Sequence, residues 1–244
     1  MPVSEEALRL LGPREFGAVR AALGRFLGIA HRIAGSRDYD SEHIEHVAGV
    51  RLLIAPSVFN PRLLRTGEYF ARVIAGYRLG AGGNVLDLGT GSGICAIVAA
   101  RHARRVIAVD INPAAVRCAI VNAQLNAVER RITCRTGDLF APVAGERFDA
   151  IFFNPPFASG APRDARDCAW RSTDVAARYA EQLADHLAER GRAWLLLSTW
   201  GDACAMFVDE LVSRNYELEV FAVRSFVNER VTILEVRPGS EDIR

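Results

Sequence analysis

From about residue 67 onward, short apolar runs alternate with stretches in which apolar side chains recur every three or four positions. Short apolar runs are typical of buried strands, and the wider spacing is typical of amphipathic helices. The pattern predicts strands at residues 85–88, 106–109, 132–135, 150–153 and 193–197, and helices at residues 92–103, 113–125, 173–189 and 202–213. Strands that alternate with helices in this way predict a parallel sheet with helices on both faces.

The pattern changes near the end of the sequence, where two apolar strands at residues 217–224 and 230–236 flank the short stretch 225–229. Two strands separated by so few residues are typical of a β-hairpin. A terminal hairpin would place one antiparallel strand in the otherwise parallel sheet. The sequence therefore predicts an α/β fold with a single antiparallel strand.

The first 56 residues follow another pattern. Apolar side chains at helical spacing, with arginines between them, predict an amphipathic helix within residues 13–34. Residues 35–48 are polar and predict a loop, whereas residues 50–59 predict an extended segment interrupted by a proline. We therefore divide the chain into a small, mainly helical N-terminal accessory segment at residues 1–56 and a larger catalytic domain at residues 57–244.

The net charge of the chain excludes few classes of protein. The chain has 30 basic and 29 acidic residues, a net charge of +1, and no lysine among its basic residues. Lysine therefore supplies neither a nucleophile nor a base. Because proteins that bind polyanions usually carry a strong basic excess, this balance does not demand a nucleic-acid partner.

The cysteines and histidines predict neither a disulfide framework nor a metal site. The five cysteines are odd in number and form no CxxC pair, which is typical of reduced thiols. His43 and His46 are three positions apart and could share a helix face as metal ligands, but no third ligand is evident in the sequence. We therefore expect no metal.

The sequence also lacks the usual signs of membrane targeting. Its first residues do not show the basic and then apolar pattern of a signal peptide, and no apolar stretch reaches the roughly 20 residues that span a bilayer. We therefore expect a cytoplasmic protein without a membrane partner.

The most informative segment is the glycine-rich turn at residues 85–93, with the sequence VLDLGTGSG. Its glycines let the backbone turn tightly and approach a ligand, and the helix that follows offers unpaired N–H groups. The spacing is GxGxG and not the GxGxxG of dinucleotide-binding enzymes, and a carboxylate stands just before the first glycine. That carboxylate suits the ammonium group of a methionine moiety. The predicted cofactor contacts in this turn are Asp87, Gly89, Thr90, Gly91 and Gly93.

Acidic residues also follow the next two predicted strands. Asp110 comes seventeen residues after Gly93, where a carboxylate can accept hydrogen bonds from both hydroxyls of a ribose. Ile111 beside it would pack on an adenine ring. Asp138 follows the third strand and could accept from the adenine amino group, while Leu139 covers the ring. Carboxylates at the ends of three successive strands predict a site for S-adenosylmethionine.

The segment Asn154-Pro155-Pro156-Phe157 ends the fourth predicted strand, beside the expected position of the cofactor's methyl group. An NH2 group conjugated with a carbonyl or an aromatic ring is a poor nucleophile, because its lone pair is delocalised. The Asn154 side-chain oxygen and the Pro155 carbonyl can each accept one N–H, and Phe157 can cover the planar face. Holding both hydrogens favours a tetrahedral nitrogen whose lone pair points at the methyl group. Asn154, Pro155 and Phe157 are the predicted catalytic residues, and Asn154 is also a predicted cofactor contact.

Residues 85–157 together resemble the amino-methyltransferase branch of the class I S-adenosylmethionine-dependent methyltransferases, especially the HemK-like protein glutamine N-methyltransferases. The resemblance includes the glycine turn, Asp110, Asn122-Ala123, Gly137-Asp138-Leu139-Phe140, Phe148-Asp149 and the Asn-Pro-Pro-Phe box. It implies a Rossmann-like seven-stranded sheet with one antiparallel strand, and S-adenosylmethionine as the cofactor. Phe157 stands where tyrosine is common in the glutamine enzymes, so the stacking surface is retained without the phenolic hydroxyl.

The resemblance also implies roles for two further segments. Residues 58–62 resemble the proline-arginine segment that lies over the cofactor in that family, and the nearby Thr66 is therefore expected to contact the cofactor. The N-terminal region usually selects the substrate there, which implies that role for residues 1–56. Residues 158–168 are rich in glycine, proline and arginine, and they predict either a substrate lid or merely a mobile loop.

These features predict S-adenosylmethionine-dependent N-methyl transfer to a planar amide or exocyclic amino nitrogen, in a protein glutamine or a nucleobase. A small-molecule acceptor from a biosynthetic pathway is an alternative, since the N-terminal segment is unfamiliar. A non-catalytic partner subunit is disfavoured because the glycine turn and the Asn-Pro-Pro-Phe box are both intact. A nicotinamide-dependent oxidoreductase is disfavoured by Asp87 and by the same box. The acceptor stays open among protein, RNA and small molecule.

Overall fold

The computed structural model describes residues 42–56, 58–62, 65–161, 171–199, 202–226 and 229–239. The helix predicted within residues 13–34 and most of the predicted lid at residues 158–168 lie outside this part of the chain. The described strands are β1 (His43–Val47), β2 (Val50–Ile54), β3 (Asn84–Leu88), β4 (Arg105–Asp110), β5 (Ile132–Thr136), β6 (Phe148–Phe153), β7 (Ala158–Ser159), β8 (Arg171–Ser172), β9 (Leu187–Ser198), β10 (Tyr216–Ser225) and β11 (Arg230–Pro238). The described α-helices are α1 (Thr66–Tyr77), α2 (Ile94–Ala100), α3 (Pro113–Leu125), α4 (Val175–His186) and α5 (Ala203–Ser213).

Seven of these strands form one sheet in the order β10-β11-β9-β6-β3-β4-β5. β11 runs antiparallel to both of its neighbours, while β9, β6, β3, β4 and β5 are parallel. The predicted Rossmann-like sheet with one antiparallel strand is therefore confirmed. Because the chain first adds β4 and β5 on one side of β3 and then β6 on the other, the strand order reverses at β3. Open α/β sheets bind ligands at such a reversal, at the carboxyl ends of the strands.

Helices bury both faces of this sheet. Since successive side chains of a strand point to opposite faces, Leu86 packs with Tyr179 of α4 and Phe207 of α5, whereas Val85 packs with residues of α1 and α2 such as Phe70. Each fully buried side chain of this size contributes roughly 1.5–3 kcal/mol. The two apolar layers therefore fix β3 and the glycine turn that follows it.

Two helix boundaries differ from the predicted ones for reasons that lie in the backbone. α2 begins after Gly93 rather than at residue 92, because Gly91 and Gly93 have left-handed φ angles of 55° and 83°. α4 ends before Leu187 rather than at residue 189, because Leu187 already pairs with Phe148 as the first residue of β9. The spacing of apolar residues cannot distinguish these cases, since a buried side chain is required in either conformation.

β1 and β2 form a hairpin, which corrects the loop predicted for residues 35–48. The turn between them consists of Ala48 and Gly49, with φ angles of 52° and 72°, as is typical of two-residue hairpin turns. His43 and His46 therefore lie on a strand, where side chains three positions apart point to opposite faces and cannot share a helix face.

Asn122 of α3 and Asn126, which follows α3 directly, hold this hairpin on the larger domain. Asn122 accepts a hydrogen bond from Leu53 N at 2.7 Å and donates to Leu53 O and Ser92 O, both at 2.8 Å. Asn126 accepts from Arg51 N at 3.2 Å and donates to Arg51 O at 2.7 Å. The two amides thus satisfy one edge of β2, as a neighbouring strand would. The substrate-selecting role of residues 1–56 stays a prediction.

Candidate active site

A cavity of about 290 Å³ opens at the carboxyl ends of the parallel strands. Its size is close to the lower end of the range for small-molecule sites, about 300–1,000 Å³. The predicted site residues that line it are Asp87, Gly89, Thr90, Gly91, Asp110, Ile111, Asp138, Leu139, Asn154, Pro155 and Phe157. The structure therefore brings together most of the residues that the sequence singled out, and Gly93 and Thr66 are absent from the lining.

The glycine turn supplies the cavity with backbone rather than side chains. Gly89 and Gly91 have left-handed φ angles of 61° and 55°, which favour glycine because any side chain would strain the backbone there. Both glycines and Thr90 between them line the cavity. Gly93 is needed for helix packing, because a Cβ there would lie 3.0 Å from the Ala119 Cβ. This last glycine lets α2 and α3 approach each other.

Asp87 lies at the end of β3 with 3% of its surface exposed. Its Oδ2 accepts hydrogen bonds from Thr90 Oγ1 at 2.6 Å and from Ala96 N at 3.0 Å. Burial raises the pKa of the Asp87 carboxyl to about 7, against the lowering effect of those two hydrogen bonds. A nearby cation would offset this desolvation, which suits the ammonium group predicted for this place.

Asp110 ends the neighbouring strand, β4, and is oriented by the backbone. Its Oδ2 accepts from Gly91 N at 2.8 Å and its Oδ1 accepts from Asn112 N at 2.9 Å. Burial raises the pKa of this carboxyl, and the two amides lower it. Each carboxylate oxygen can accept a second hydrogen bond. The geometry therefore leaves Asp110 able to accept from the two hydroxyls of a ribose.

Ile111 and Leu139 give the cavity an apolar wall. Ile111 is 51% exposed although it is large and apolar, and Leu139 is buried. Leu139 also has a left-handed φ of 43°, a conformation that costs on the order of 1–3 kcal/mol and often marks a ligand site. A planar ring bound against Ile111 would remove its exposed apolar surface from water.

Asp138 already has a cationic partner. Its carboxylate forms an ion pair with Arg178 of α4, which also pairs with Asp174 one helical turn earlier. The Asp138 side chain is 44% exposed and lines the cavity. The predicted hydrogen bond from an adenine amino group to Asp138 stays a prediction, and Arg178 would share the carboxylate with it.

The Asn-Pro-Pro-Phe box leaves β6 and enters the cavity wall. The Oδ1 atom of Asn154 is buried and has no hydrogen-bond donor among the residues that the structure describes. A buried polar atom without a partner costs about 1–3 kcal/mol, so such atoms indicate a missing ligand group. The Phe157 carbonyl accepts from Ala203 N at 3.1 Å, which anchors the end of the box to α5.

The segment at residues 58–62 closes another side of the cavity. Its apolar members in the lining are Val58, Phe59 and Pro61. Asn60 is buried, lies 3.1 Å from the His43 Nε2 of the hairpin, and accepts from Arg62 N at 2.9 Å. Thr66 is buried beside this segment, and its Oγ1 has no partner within the described ranges. Its neighbour Gly67 lines the cavity.

Residues 171–178 form a wall that sequence reasoning missed. The members in the lining are Arg171, Ser172, Thr173, Asp174, Val175 and Arg178. β8 pairs with β7, which follows the Asn-Pro-Pro-Phe box, and this pairing brings the wall to the cavity. The one available signal was the spacing of Asp174 and Arg178 by four residues. That spacing indicates an ion pair within a helix, but it does not indicate that the pair faces the cavity.

Among the described residues, no group of side chains suits a metal ion, and no cysteine has a lowered pKa. No three histidine, cysteine or acidic side chains lie close enough there to hold a metal ion. Cys95, Cys118, Cys134 and Cys204 are free thiols, and burial raises the pKa of each. No helix in the same ranges is long and apolar enough to cross a membrane.

The sheet order and the cavity at the carboxyl ends of the parallel strands define the class: a Rossmann-like α/β protein with a candidate ligand site where the strand order reverses. The comparison with known families is more specific. The chain belongs to the methyltransferase small domain family, whose model matches residues 53–211.

Named relatives share parts of the chain. The ribosomal RNA small subunit methyltransferase C of Alcanivorax borkumensis is 32% identical over 151 residues, which are 62% of this chain and 43% of the relative. The release factor glutamine methyltransferase of Koribacter versatilis is 33% identical over 186 residues, which are 69% and 64% of the two chains. The chain thus spans 43–64% of the length of these relatives.

Solved structures share the fold. The ribosomal protein L11 methylase of Lactobacillus delbrueckii subsp. bulgaricus has a TM-score of 0.56 at 23% identity, over 77% of this chain and 84% of its own. A structure of SMU.776 complexed with SAH has a TM-score of 0.57 at 13% identity, over 80% of this chain and 56% of its own. The class I architecture predicted from the sequence is therefore confirmed.

The family and the fold identify S-adenosylmethionine as the methyl donor, which confirms the predicted class of enzyme and its cofactor. The side chains present fit this molecule. Asp87 offers a desolvated carboxylate for the ammonium group, Asp110 offers two acceptors for the ribose, and Ile111 offers an exposed apolar surface for the adenine. The buried, unpaired Asn154 Oδ1 lies in the same cavity.

Proposed function

We propose that the protein transfers a methyl group from S-adenosylmethionine to a planar nitrogen, in an amide or an exocyclic amino group. The observation that carries this proposal is the Oδ1 atom of Asn154, which is buried in the cavity wall and has no donor among the described residues. The NH2 group that receives the methyl group can donate the hydrogen bond that this oxygen lacks. The Asn-Pro-Pro-Phe box that contains Asn154 also supports the HemK-like branch.

The role of the box is alignment. Asn154 Oδ1 and the Pro155 carbonyl each accept one hydrogen of the acceptor NH2, while the Phe157 ring covers the planar group. This arrangement withdraws the nitrogen lone pair from conjugation and points it into the cavity. Bound S-adenosylmethionine supplies an electrophilic methyl group on a sulfonium sulfur. Orientation of this kind contributes as much as about 7–11 kcal/mol to lowering a reaction barrier.

No side-chain base is assigned to the reaction. The described residues that line the cavity include no histidine, and the chain contains no lysine. As the nitrogen–carbon bond forms, the bond between the methyl carbon and the sulfonium sulfur breaks, and its electron pair stays on sulfur as a neutral thioether. The nitrogen then releases one of its hydrogens as a proton, and we assign that proton to water. The two acceptors of the box hold the nitrogen until the proton leaves.

The named relatives support nitrogen as the acceptor atom without choosing the macromolecule. One is named for ribosomal RNA and another for a release factor glutamine, and nucleobases and glutamine both contain conjugated NH2 groups. Phe157 retains the stacking surface of the box but lacks the hydroxyl of the tyrosine common in glutamine enzymes. A planar nitrogen is therefore the shared feature on which the proposal rests.

Asn154→Ala tests this proposal. We expect the affinity for S-adenosylmethionine to stay within about twofold, while turnover falls by roughly 100- to 1,000-fold, as when one donor or acceptor of a preorganised site is removed. Calorimetry gives the affinity and transfer of a labelled methyl group gives turnover. Asn84→Ala is the matched control, because Asn84 lies at the amino end of β3, whereas the cavity lies at the carboxyl ends of the strands. Normal turnover of Asn154→Ala would contradict the proposed mechanism.

A further inference from the structure

Two arginines and two aromatic rings form a continuous stack on the surface beside the cavity. The guanidinium carbon of Arg224 lies 5.6 Å from the ring centroid of Tyr69 and 5.2 Å from that of Phe226. The guanidinium carbon of Arg65 lies 5.9 Å from the same Phe226 ring. Both arginines are exposed, and both rings are partly buried. We call Arg65, Tyr69, Arg224 and Phe226 the arginine–aromatic surface.

The surface is built from two elements, the start of α1 and the end of β10. Arg65 precedes α1 with a left-handed φ of 56°, and its carbonyl accepts from Tyr69 N at 2.9 Å. Arg224 and Phe226 lie at the end of β10, where Phe226 N donates to Glu229 O at 2.8 Å. Because the rings hold the guanidiniums by cation–π attraction, the two positive charges are oriented before any ligand arrives.

These two guanidiniums have aromatic rings as partners in place of carboxylates. Within the described ranges, no carboxylate forms an ion pair with Arg65 or Arg224, and the Glu229 carboxylate near Arg65 accepts instead from Ser198 Oγ. Some arginines elsewhere on the surface pair with carboxylates, as in Arg72–Glu68, Arg214–Glu210 and Arg237–Glu219. The near-zero net charge of the chain therefore conceals a local positive surface.

The surface lies at the edge of the sheet where the acceptor must bind. Arg65 is two residues before Gly67, which lines the cavity. On the other side, Thr199 N donates to Arg230 O at 3.0 Å and Arg230 N donates to Thr199 Oγ1 at 2.9 Å. These bonds fix the start of β11 at the carboxyl end of β9, next to β6 and Asn154. A long acceptor held at Asn154 can extend across this surface.

We propose that the arginine–aromatic surface binds a single-stranded nucleic-acid segment whose target base enters the cavity. Guanidiniums bind phosphates through paired N–H groups, and bases stack on aromatic rings and on guanidinium planes. An acidic peptide would satisfy the two charges but would make no use of the rings, so the stack favours nucleic acid. This inference names the substrate class for the proposed N-methyl transfer and rests on it.

Fluorescence anisotropy with labelled single strands of about 12 nucleotides tests the surface directly. We expect binding that weakens with salt, and we expect Arg65→Gln and Arg224→Gln each to weaken it by about fivefold or more while lowering the salt slope by about one. Arg104→Gln is the matched control, because Arg104 binds Asn84 Oδ1 at the opposite edge of the sheet. Unchanged S-adenosylmethionine affinity in all three variants shows that the fold is intact. Equal binding by wild type and the two surface variants, or no binding of any strand, overturns the proposal.

The choice of probes separates the other outcomes. Ribo- and deoxyribo-oligonucleotides of one sequence tell RNA from DNA, and preference for either supports the surface. Polyglutamate that competes fully with the strands through Arg65 and Arg224 overturns it in favour of an acidic protein. Because the binding assay needs no methyl transfer, strands that bind through the surface but receive no methyl on nitrogen would contradict the proposed function alone. Methylated nitrogen with unaffected surface variants would contradict the surface alone.

Discussion

Asp87 and Asp110 end adjacent strands and face one cavity, but the protein holds them differently. Asp87 is almost fully desolvated and has a pKa near the middle of the physiological range, at about 7. Asp110 is fixed by the amides of Gly91 and Asn112, one on each oxygen. The first carboxylate is therefore suited to meet a positive charge, and the second to accept hydroxyl groups in a fixed orientation.

Replacing Asp110 with alanine should mainly weaken cofactor binding. The change removes the acceptors proposed for the ribose and leaves Gly91 N without its partner. Hydrogen bonds to a charged group contribute about 1.5–3 kcal/mol, so we expect the dissociation constant for S-adenosylmethionine to rise by about tenfold to a hundredfold. Calorimetric titration measures this constant. An unchanged value would show that Asp110 does not contact the cofactor.

The raised pKa of Asp87 gives cofactor binding a pH dependence of known sign. The carboxylate form attracts an ammonium group, whereas the protonated form, favoured below about pH 7 in the free protein, does not. The affinity should therefore be complete above that pH and fall as the pH decreases, approaching about tenfold per unit. Titrations between about pH 5.5 and pH 7 avoid the range in which an α-amino group itself titrates.

Asp87→Asn supplies the control for that prediction. The amide cannot ionise, so we expect weak binding of S-adenosylmethionine that does not change over the same pH range. The variant also removes the desolvated charge beside Thr90 and Ala96, so the free protein should lack the loss of stability that the Asp87 carboxylate causes in the wild type as the pH rises from about 4 to about 7. Retention of the wild-type pH dependence in Asp87→Asn would place its origin in another group.

For individual residues, the sequence predicted which side chains follow the strands. It did not predict which groups those side chains contact. Asp87, Asp110 and Asn154 reach the cavity because the carboxyl ends of parallel strands meet at one edge. The Asp138–Arg178 ion pair was not predictable, because it joins the end of one strand to a helix forty residues later. Thr66 and Gly93 stand beside the cavity lining, and their predicted contacts with the cofactor remain to be tested.

Among the elements, α3 is the one that the sequence predicted best. Its bounds are those expected, because the Asn112 side chain caps Ala114 N at 2.9 Å and a proline occupies the first turn. The β1–β2 hairpin was missed, because its strands are short and the outer edge of β2 depends on Asn122 and Asn126 at the end of α3 for its hydrogen bonds. Local pattern cannot reveal an edge that is completed by side chains from a distant helix.

Asn122→Ala should therefore destabilise the protein more than an exposed substitution on the same helix. Asn122 is fully buried, and its loss would leave Leu53 N, Leu53 O and Ser92 O without this partner. We expect a loss of about 2–4 kcal/mol in the free energy of unfolding. Chemical denaturation measures this value, with the exposed Gln124→Ala as the control. Equal stabilities would show that the hairpin does not depend on this amide.

For the whole molecule, alternation of strands and helices predicted the α/β class, while the strand order had to come from the structure. The order depends on pairings such as Ile151 with Ala193, which join distant parts of the chain. The N-terminal boundary at residue 56 was drawn from a change in the sequence pattern, and the hairpin that precedes it packs on the larger domain. The wall at residues 171–178 likewise depends on strand pairing that sequence spacing does not specify.

Methyl transfer to a planar nitrogen held by Asn154 is best tested by locating the new bond. The protein would be incubated with S-adenosylmethionine labelled in its methyl group and with separate cellular RNA and protein fractions, and mass spectrometry would locate the label. We predict label on an amide or exocyclic amino nitrogen, and its loss with Asn154→Ala. Label on oxygen, sulfur or carbon, or label on nitrogen that persists in Asn154→Ala, would contradict transfer to a planar nitrogen held by Asn154.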